Sequence, residues 1–242
     1  MSCELACRCV LRLCLAFALL APGACARAAE TRLVVDDVAP FAFYEGGQLK
    51  GVSYELLRAL AARLGHCGAV TLVPLARELD MLRRGPNAIG TLGRLKNGEH
   101  GLVWIAPRFD EQVLLVSTVG SGADIDSLAA ARSLRVGVIR GGPASMLAAD
   151  LGFRKVDTAS TPHSNARKLA LGRIDAWLTT WGVAAHAQQQ IGKDVALLQR
   201  FPMFLVGSPG MAPAEIGRWR AALEAMKRDG SFQRILRAYH YD

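Results

Sequence analysis

The chain has 242 residues, of which 51% are hydrophobic and 21% are charged. This composition is typical of a globular protein with one large domain or two small lobes, and it excludes a mainly disordered chain. The formal net charge of +8 is spread along the sequence without basic runs interleaved with aromatic residues, so nucleic-acid binding is not predicted.

The first 28 residues have the layout of a secretory signal peptide. Two arginines precede an apolar run over Leu13–Ala21, which is too short to span a bilayer, and small residues follow it. We expect cleavage within residues 24–29, with a lipid anchor at Cys25 as the less favoured alternative. The predicted location is the periplasm. Cys67 is then the one thiol that remains, so no internal disulfide is expected.

Short apolar runs alternate with helical patterns in the first half of the chain. The segment Val38–Gly65 combines an Ala-Pro-Phe turn, a glycine-rich reversal and a helix whose leucines share one face. Ser53 is the expected helix cap, and Gly65 is the expected stop. The predicted strands are Arg32–Val35, Val70–Pro74, Ala88–Thr91, Leu102–Ala106 and Gln112–Val119, with a second helix at Ala76–Arg84. This alternation favours a parallel sheet with right-handed crossovers.

A similar alternation begins again after Gly120-Ser121-Gly122. The predicted strands are Leu134–Ile139, Asp175–Thr179, Val195–Leu198 and Met203–Gly207; the predicted helices are a turn at Asp126–Ala131, then Ala144–Leu151, Ser164–Leu171, Trp181–Ile191, Pro213–Gly230 and a last helix from Ser231. Two α/β units joined around residues 118–122 and 202–208 indicate two lobes with two connections between them.

Four segments, in this order, resemble the family-3 solute-binding proteins, the amino-acid-type substrate-binding proteins of ABC transporters. They are Val38–Gly65, the Trp-x-x-Pro of Trp104–Pro107, the Gly-Arg-Ile-Asp-Ala within Leu169–Ala176, and the Asp-Gly-Ser-Phe that ends Ala222–Phe232. The resemblance implies an α/β, two-lobed type II periplasmic-binding-protein fold with a two-strand hinge. It also implies that residues 29–118 and 207–242 form lobe 1, that residues 119–206 form lobe 2, and that the ligand is enclosed between them.

The resemblance implies a monomeric binding protein that delivers a small solute to an inner-membrane ABC permease. No cofactor is expected, and the histidines lack metal-ligand spacing. No nucleophile motif is present, so an enzyme is not predicted. One alternative is a secreted dehydratase of cyclohexadienyl substrates, which needs a carboxyl general acid. The glutamates considered for that role are Glu45, Glu55, Glu78 and Glu99. A second alternative is a ligand-sensing partner of a membrane receptor.

The residues that hold an amino acid in the family are absent or displaced here. An arginine of the first lobe usually binds the ligand carboxylate, and the corresponding position is Gly98. An aspartate of the second lobe usually binds the ammonium, and that position is Thr180; a customary aromatic is replaced by Val38. Arg94, which follows Thr91 closely, is either a substitute or a solvated loop residue. Because burying an unpaired charge costs about 3–5 kcal/mol, a small anionic or polar-aromatic solute is predicted rather than a standard amino acid.

The candidate ligand-binding residues follow from these arguments and from the strand exit at the opening turn. They are Asp37, Phe41, Arg77, Thr91, Arg94, Arg140, Gly141, Gly142, Thr180 and Trp181. The three arginines are the candidate cations. The Arg-Gly-Gly sequence at residues 140–142 is either an anion nest at a helix start or a plain tight turn. Trp181 is a candidate for stacking on a ligand, with a place in the core as the alternative.

Overall fold

The computed structural model describes residues 31–94, 101–118, 120–187 and 194–241; the predicted signal peptide and Gly98 lie outside these ranges. The strands are β1 (Arg32–Asp36), β2 (Phe43–Glu45), β3 (Gln48–Lys50), β4 (Val70–Val73), β5 (Ala88–Gly93), β6 (Val103–Ser117), β7 (Arg135–Ile139), β8 (Lys155–Ala159), β9 (Ala176–Thr180) and β10 (Asp194–Gly207). The helices are α1 (Val52–Arg63), α2 (Leu75–Arg84), α3 (Leu128–Ala131), α4 (Pro143–Asp150), α5 (Pro162–Ala170), α6 (Trp181–His186), α7 (Pro213–Arg228) and α8 (Ser231–Ala238).

Eight strands form one mixed sheet in the order β4-β1-β5-β10-β6-β9-β7-β8, and β2 pairs with β3 as a separate hairpin. The strands β4, β1 and β5 are parallel, as are β9, β7 and β8. Between these two groups, β10 and β6 run antiparallel to each other and to their outer neighbours. The sheet therefore has two parallel halves that are joined by a central antiparallel pair.

The two central strands are longer than the sequence predicts. The sequence predicts two short strands in place of each, from separate apolar runs. Pro107 and Pro202, which lie between those runs, have no N–H to donate to a sheet. Instead β6 and β10 stay paired from Asp194 opposite Ser117 to the other end, with shifts of register at three places, one of them just after Pro202. Bulges of this kind let a strand accommodate a proline and bend without ending.

The strand β8 was not predicted at all. Its sequence, Lys-Val-Asp-Thr-Ala, has charged residues at Lys155 and Asp157. This pattern does not predict a strand, because it lacks a run of apolar residues. It lies at the edge of the sheet beside β7, and edge strands commonly carry charge because that discourages pairing with other chains.

The helix α1 begins differently from the prediction. Gly51, not Ser53, is the N-cap, with φ +126° and no side-chain cap bond. The carbonyl oxygen of Phe41 instead accepts the N–H groups of Ser53 and Tyr54 at 2.9 and 3.2 Å. A methyl group on residue 51 would lie 2.2 Å from that oxygen, so the turn can close on the helix only if residue 51 is glycine. The predicted stop at Gly65 is present, with φ +74°.

The C-terminal helices α7 and α8 pack against α1, and α7 also contacts β6. Trp219 of α7 is fully buried, and its indole N–H donates to Glu215 at 2.8 Å. Arg63 at the end of α1 pairs with Asp229 at 2.6 Å. The last two helices thus return to the half of the sheet that contains β1. None of the helices in the described ranges has the length and apolar character needed to span a membrane.

Cys67 is disulfide-bonded, so the prediction that it has no internal partner is wrong. The described residues contain no other cysteine, and the sequence places all the others within residues 1–25. The prediction failed because it removed those cysteines together with the signal peptide before pairing was considered.

Candidate functional site

A cavity of about 120 Å³ lies between the two halves of the sheet. Its wall includes Asp36 and Ile139, the last residues of β1 and β7. The central strands add Trp104, Phe201 and Met203. The carboxyl ends of parallel strands are where open α/β sheets collect free backbone groups and helix N-termini. This cavity is therefore the candidate functional site.

Most of the cavity wall is apolar. Its larger side chains are Phe41, Leu79, Trp104, Met146, Phe201 and Met203. Apolar walls with a few placed polar groups are typical of small-molecule sites, in which burial supplies affinity and the polar groups fix orientation. The wall therefore suits a solute with an apolar or aromatic body.

Two of the three threonines in the wall come from different halves of the sheet. Thr91 belongs to β5 and Thr180 to β9, and their exposed fractions are 1% and 7%. Neither Oγ1 atom has a hydrogen-bond partner within the described part of the chain. Leaving a buried hydroxyl unpaired costs about 1–3 kcal/mol. Since a hydroxyl both donates and accepts, a polar solute that reaches both threonines recovers this cost.

Asp36 is the one acidic residue in the wall among the described residues. Burial raises the pKa of its carboxyl to about 7, although the nearby Arg108 guanidinium lowers it. Near neutral pH the carboxyl is therefore divided between its protonated and ionised forms. It can donate a hydrogen bond in the first form and pair with a cation in the second.

Two buried ionisable side chains, Glu78 and Arg108, interact electrostatically with Asp36. Glu78 of α2 accepts the N–H of Thr91 at 3.2 Å, and burial raises the pKa of its carboxyl well above the ordinary value. Arg108 of β6 is 5% exposed, and its two terminal nitrogens donate to Ser53 at 3.3 Å. Burial lowers the pKa of Arg108 to about 10, while Asp36 and Glu78 raise it. Arg108 is thus the counter-charge for two buried carboxyl groups.

These raised pKa values predict that stability falls as the pH rises from about 4 to about 7. Below this window the Asp36 carboxyl is protonated in both the folded and the unfolded chain. Within it the folded chain still holds the proton, since its pKa is about 7, whereas the unfolded chain has lost it. Urea unfolding across this range should show a decline of about 2–3 kcal/mol that Asp36→Asn reduces.

The same measurement on Asp80→Asn serves as the matched control, because Asp80 lies on the surface of α2 in an exposed ion pair. Glu78 and Glu111 also have pKa values raised by burial, so some decline should remain in Asp36→Asn. An undiminished decline in that variant would contradict the role given to Asp36.

No family model matches the chain, and no curated protein matches its sequence. Solved structures are similar to it. An ancestral amino-acid-binding protein, a precursor of cyclohexadienyl dehydratase, has a TM-score of 0.76 and 21% identity over 88% of this chain and 96% of its own. An ancestral arginine-binding protein bound to arginine has a TM-score of 0.73 and 23% identity over 87% and 98%. The substrate-binding protein of an amino-acid ABC transporter has a TM-score of 0.70 and 15% identity over 86% and 98%.

The chain has the two-lobed fold of periplasmic binding proteins. The predicted fold class, two α/β lobes with a two-strand hinge, is confirmed. The central strands β10 and β6 correspond to the hinge of this fold, with the parallel group of β1 on one side and that of β7 on the other. The cavity is therefore the space between the two lobes of this fold.

Five of the ten predicted ligand-binding residues lie in the wall of this cavity. They are Phe41, Thr91, Gly141, Gly142 and Thr180. The two glycines precede α4, whose N-cap is Gly142 and whose first residue is Pro143. Pro143 has no N–H, and the N–H groups of Gly142, Ser145 and Met146 already donate within this turn, so most of the backbone donors at this helix start have acceptors. That these five residues bind a ligand stays a prediction.

The three predicted cations lie outside the cavity wall. Arg77 is exposed and forms an ion pair within α2 at 3.1 Å. The guanidinium of Arg94 lies 5.3 Å from the ring centre of Trp104 and 5.4 Å from that of Phe204. Arg140 is exposed. Among the described residues, the one arginine in the wall is Arg83, which is also exposed.

The last two predicted residues lie in neighbouring cavities. Asp37 lines a space of about 380 Å³ that also contains His163 and His186. Trp181 lines a space of about 470 Å³, where its ring meets that of Tyr241 edge-on at 5.3 Å. The structure therefore does not bring Asp37 and Trp181 into the cavity that holds the threonines.

Sequence reasoning missed Asp36. Two aspartates, Asp36 and Asp37, directly follow the predicted first strand, and successive side chains of an extended chain point to opposite sides. The side chains of these two aspartates are therefore expected to point in opposite directions. The strand-end position was a usable signal for both, but the sequence alone did not say which would face the inter-lobe space.

Proposed function

We propose that this chain is a secreted or periplasmic solute-binding protein that encloses a small polar solute between its lobes. The observation that carries the proposal is the cavity at the lobe boundary, with an unpartnered, buried hydroxyl from each lobe at Thr91 and Thr180. A solute that touches both lobes stabilises the closed arrangement by its differential affinity for it.

The proposal assigns residues 29–118 and 207–242 to lobe 1 and residues 119–206 to lobe 2. It also includes an N-terminal signal peptide over residues 1–28, a monomeric state and an inner-membrane ABC permease as the partner. Three similar structures support the proposal of a binding protein. Two of them are named as amino-acid-binding or arginine-binding proteins and one as the substrate-binding protein of an amino-acid ABC transporter.

The proposed solute is polar but is not a standard amino acid. The position of the family's carboxylate-binding arginine is Gly98, and that of its ammonium-binding aspartate is Thr180. An anionic solute has less support than a neutral or cationic one, because Arg77, Arg94 and Arg140 are not in the wall and Asp36 is. An unpaired buried charge costs about 3–5 kcal/mol. The charge of the solute should therefore affect its affinity more than the shape of its apolar body does.

Thermal shift with a broad panel of small metabolites tests the proposal. A bound solute should raise the melting temperature by mass action. Thr91→Val and Thr180→Val should each weaken the binding of that solute by about fivefold to tenfold, since each removes one hydrogen bond worth about 1–1.5 kcal/mol. Thr158→Val is the control, because Thr158 is exposed on the edge strand β8. If no solute shifts the melting temperature, or if Thr158→Val weakens binding as much, the proposal fails.

A secreted dehydratase of cyclohexadienyl substrates is the second candidate, and one observation favours it. Such an enzyme needs a general acid in the cleft, and the Asp36 carboxyl lies in the cavity wall with a pKa of about 7. Of the glutamates considered, Glu55 accepts a bond from Tyr239, Glu45 is exposed, and Glu99 lies outside the described residues. Consumption of prephenate or arogenate by the purified protein, lost in Asp36→Asn, would favour this candidate over simple binding.

A further inference from the structure

The Asp36 carboxyl faces the cavity without a side-chain partner. Among the described residues no side chain donates a hydrogen bond to it or forms an ion pair with it. The two buried ionisable groups near it form hydrogen bonds with other residues. Arg108 donates to Ser53, and Glu78 accepts from the backbone N–H of Thr91. The carboxyl is therefore available to a group that enters the cavity.

The surroundings of this carboxyl favour a positive charge. The rings of Phe41 and Phe201 lie in the same wall, and aromatic faces attract cations. When Asp36 is ionised in this apolar space, an entering cation supplies an ionic partner from the cavity side, in addition to the buried Arg108. The two threonine hydroxyls can accept the remaining hydrogens of an ammonium group.

A carboxylate on the solute would meet less favourable surroundings. The charged groups near Asp36 are Asp37, which follows it in the chain, Glu78 from α2 and Arg108 from β6. The cation Arg83 lies in the wall but is exposed to solvent, where its attraction is weakened. The start of α4 is the other positive element, and a helix N-terminus supplies only about half a unit charge.

We propose that the cavity takes a small organic amine, a protonated ammonium on an apolar or single-ring aromatic body without a carboxylate, and that the ammonium pairs with Asp36. This deepens the proposed function and rests on it, because it assumes that the inter-lobe cavity is the solute site. At about 10–15 Å³ for each water-sized position, a cavity of about 120 Å³ has room for about ten non-hydrogen atoms. A one-ring amine fits that volume.

Isothermal titration with matched series of probes tests this inference. The amines are benzylamine, cyclohexylamine and butylamine, each compared with the alcohol and the carboxylate of the same skeleton. At about pH 8 the best amine should bind at least about tenfold more tightly than its carboxylate, which corresponds to about 1.4 kcal/mol. At about pH 5 the preference should shrink by about tenfold, because Asp36 is then protonated while the amine keeps its charge.

Variants at residue 36 separate this role from a structural one. Asp36→Asn should remove both the amine preference and its pH dependence while the alcohols still bind, which shows that the cavity is intact. Asp36→Glu should restore part of the preference. Asp80→Asn, on the exposed surface of α2, should leave amine binding unchanged.

Two results would overturn the inference. One is a carboxylate that binds as tightly as its amine; the other is amine binding that Asp36→Asn leaves unaltered. If no amine binds but an alcohol or carboxylate does, the amine inference is wrong and the proposed function stands. If neither these probes nor the broad metabolite panel binds, both are wrong.

Discussion

An Arg108→Met variant is expected to lose about 3–5 kcal/mol of its free energy of unfolding at about pH 8. The guanidinium is 5% exposed and is the counter-charge for Asp36 and Glu78. Removing it leaves two carboxyl groups close together in an apolar environment, and it takes the donor away from the fully buried Ser53. The loss should be smaller at about pH 5, where the folded chain holds the carboxyl protons.

Urea unfolding at the two pH values measures this effect. Arg135→Met is the matched control, because Arg135 pairs with Asp175 at the surface, and surface pairs contribute about 0–1 kcal/mol. Adding Glu78→Gln to Arg108→Met should restore part of the lost stability, since one of the two unpaired carboxyls is then gone. Equal losses in Arg108→Met and Arg135→Met would show that the buried charges do not depend on Arg108.

A Gly51→Ala variant is expected to lose about 3 kcal/mol or more, or to fail to fold. Two costs combine at this residue. Its φ of +126° is almost closed to residues with a side chain, and the new methyl group would lie 2.2 Å from the carbonyl oxygen of Phe41. Relieving the clash breaks the bonds that this oxygen accepts from Ser53 and Tyr54 at the start of α1. Since Phe41 lines the cavity, solute binding should weaken with stability.

Gly65→Ala is the control for the backbone cost alone. Gly65 has φ +74°, and no atom lies within 4 Å of the position a methyl group would take. Its replacement should cost about 1–2 kcal/mol, the usual cost of a left-handed residue. Thermal melting of both variants separates the backbone cost from the cost of the clash. Similar melting temperatures would mean that the contact with Phe41 is not what requires glycine at residue 51.

The elements with strong local patterns were predictable from the sequence. The helix that ends at Gly65 has an apolar face with period 3.6 and a glycine stop, and both are local signals. The strands β1, β5 and β9 are short apolar runs that end near turns. β8 was missed because a charged edge strand depends on its neighbour rather than on its own apolar residues. The long hinge strands were divided in the prediction because bulges absorb Pro107 and Pro202, and a bulge depends on both paired strands.

The candidate site was predictable only in part. Thr91 and Thr180 were named from the family resemblance and the two glycines before α4 from their place at a helix start, and the structure brings them to one cavity. The arginines were named because they are cations, and the charge of a residue does not predict which way its side chain points. Arg94 lies against the rings of Trp104 and Phe204, a contact between residues that are distant in sequence.

The sequence by itself determined the alternation of strands and helices and the two α/β units, because each depends on residues close together in the chain. Only the tertiary structure decided which of Asp36 and Asp37 faces the inter-lobe cavity, and that Arg108 and Glu78 interact with it. Burial and charge pairing depend on distances between segments far apart in the chain. Those distances set the pKa of Asp36, and with it the charge of the solute that the cavity favours.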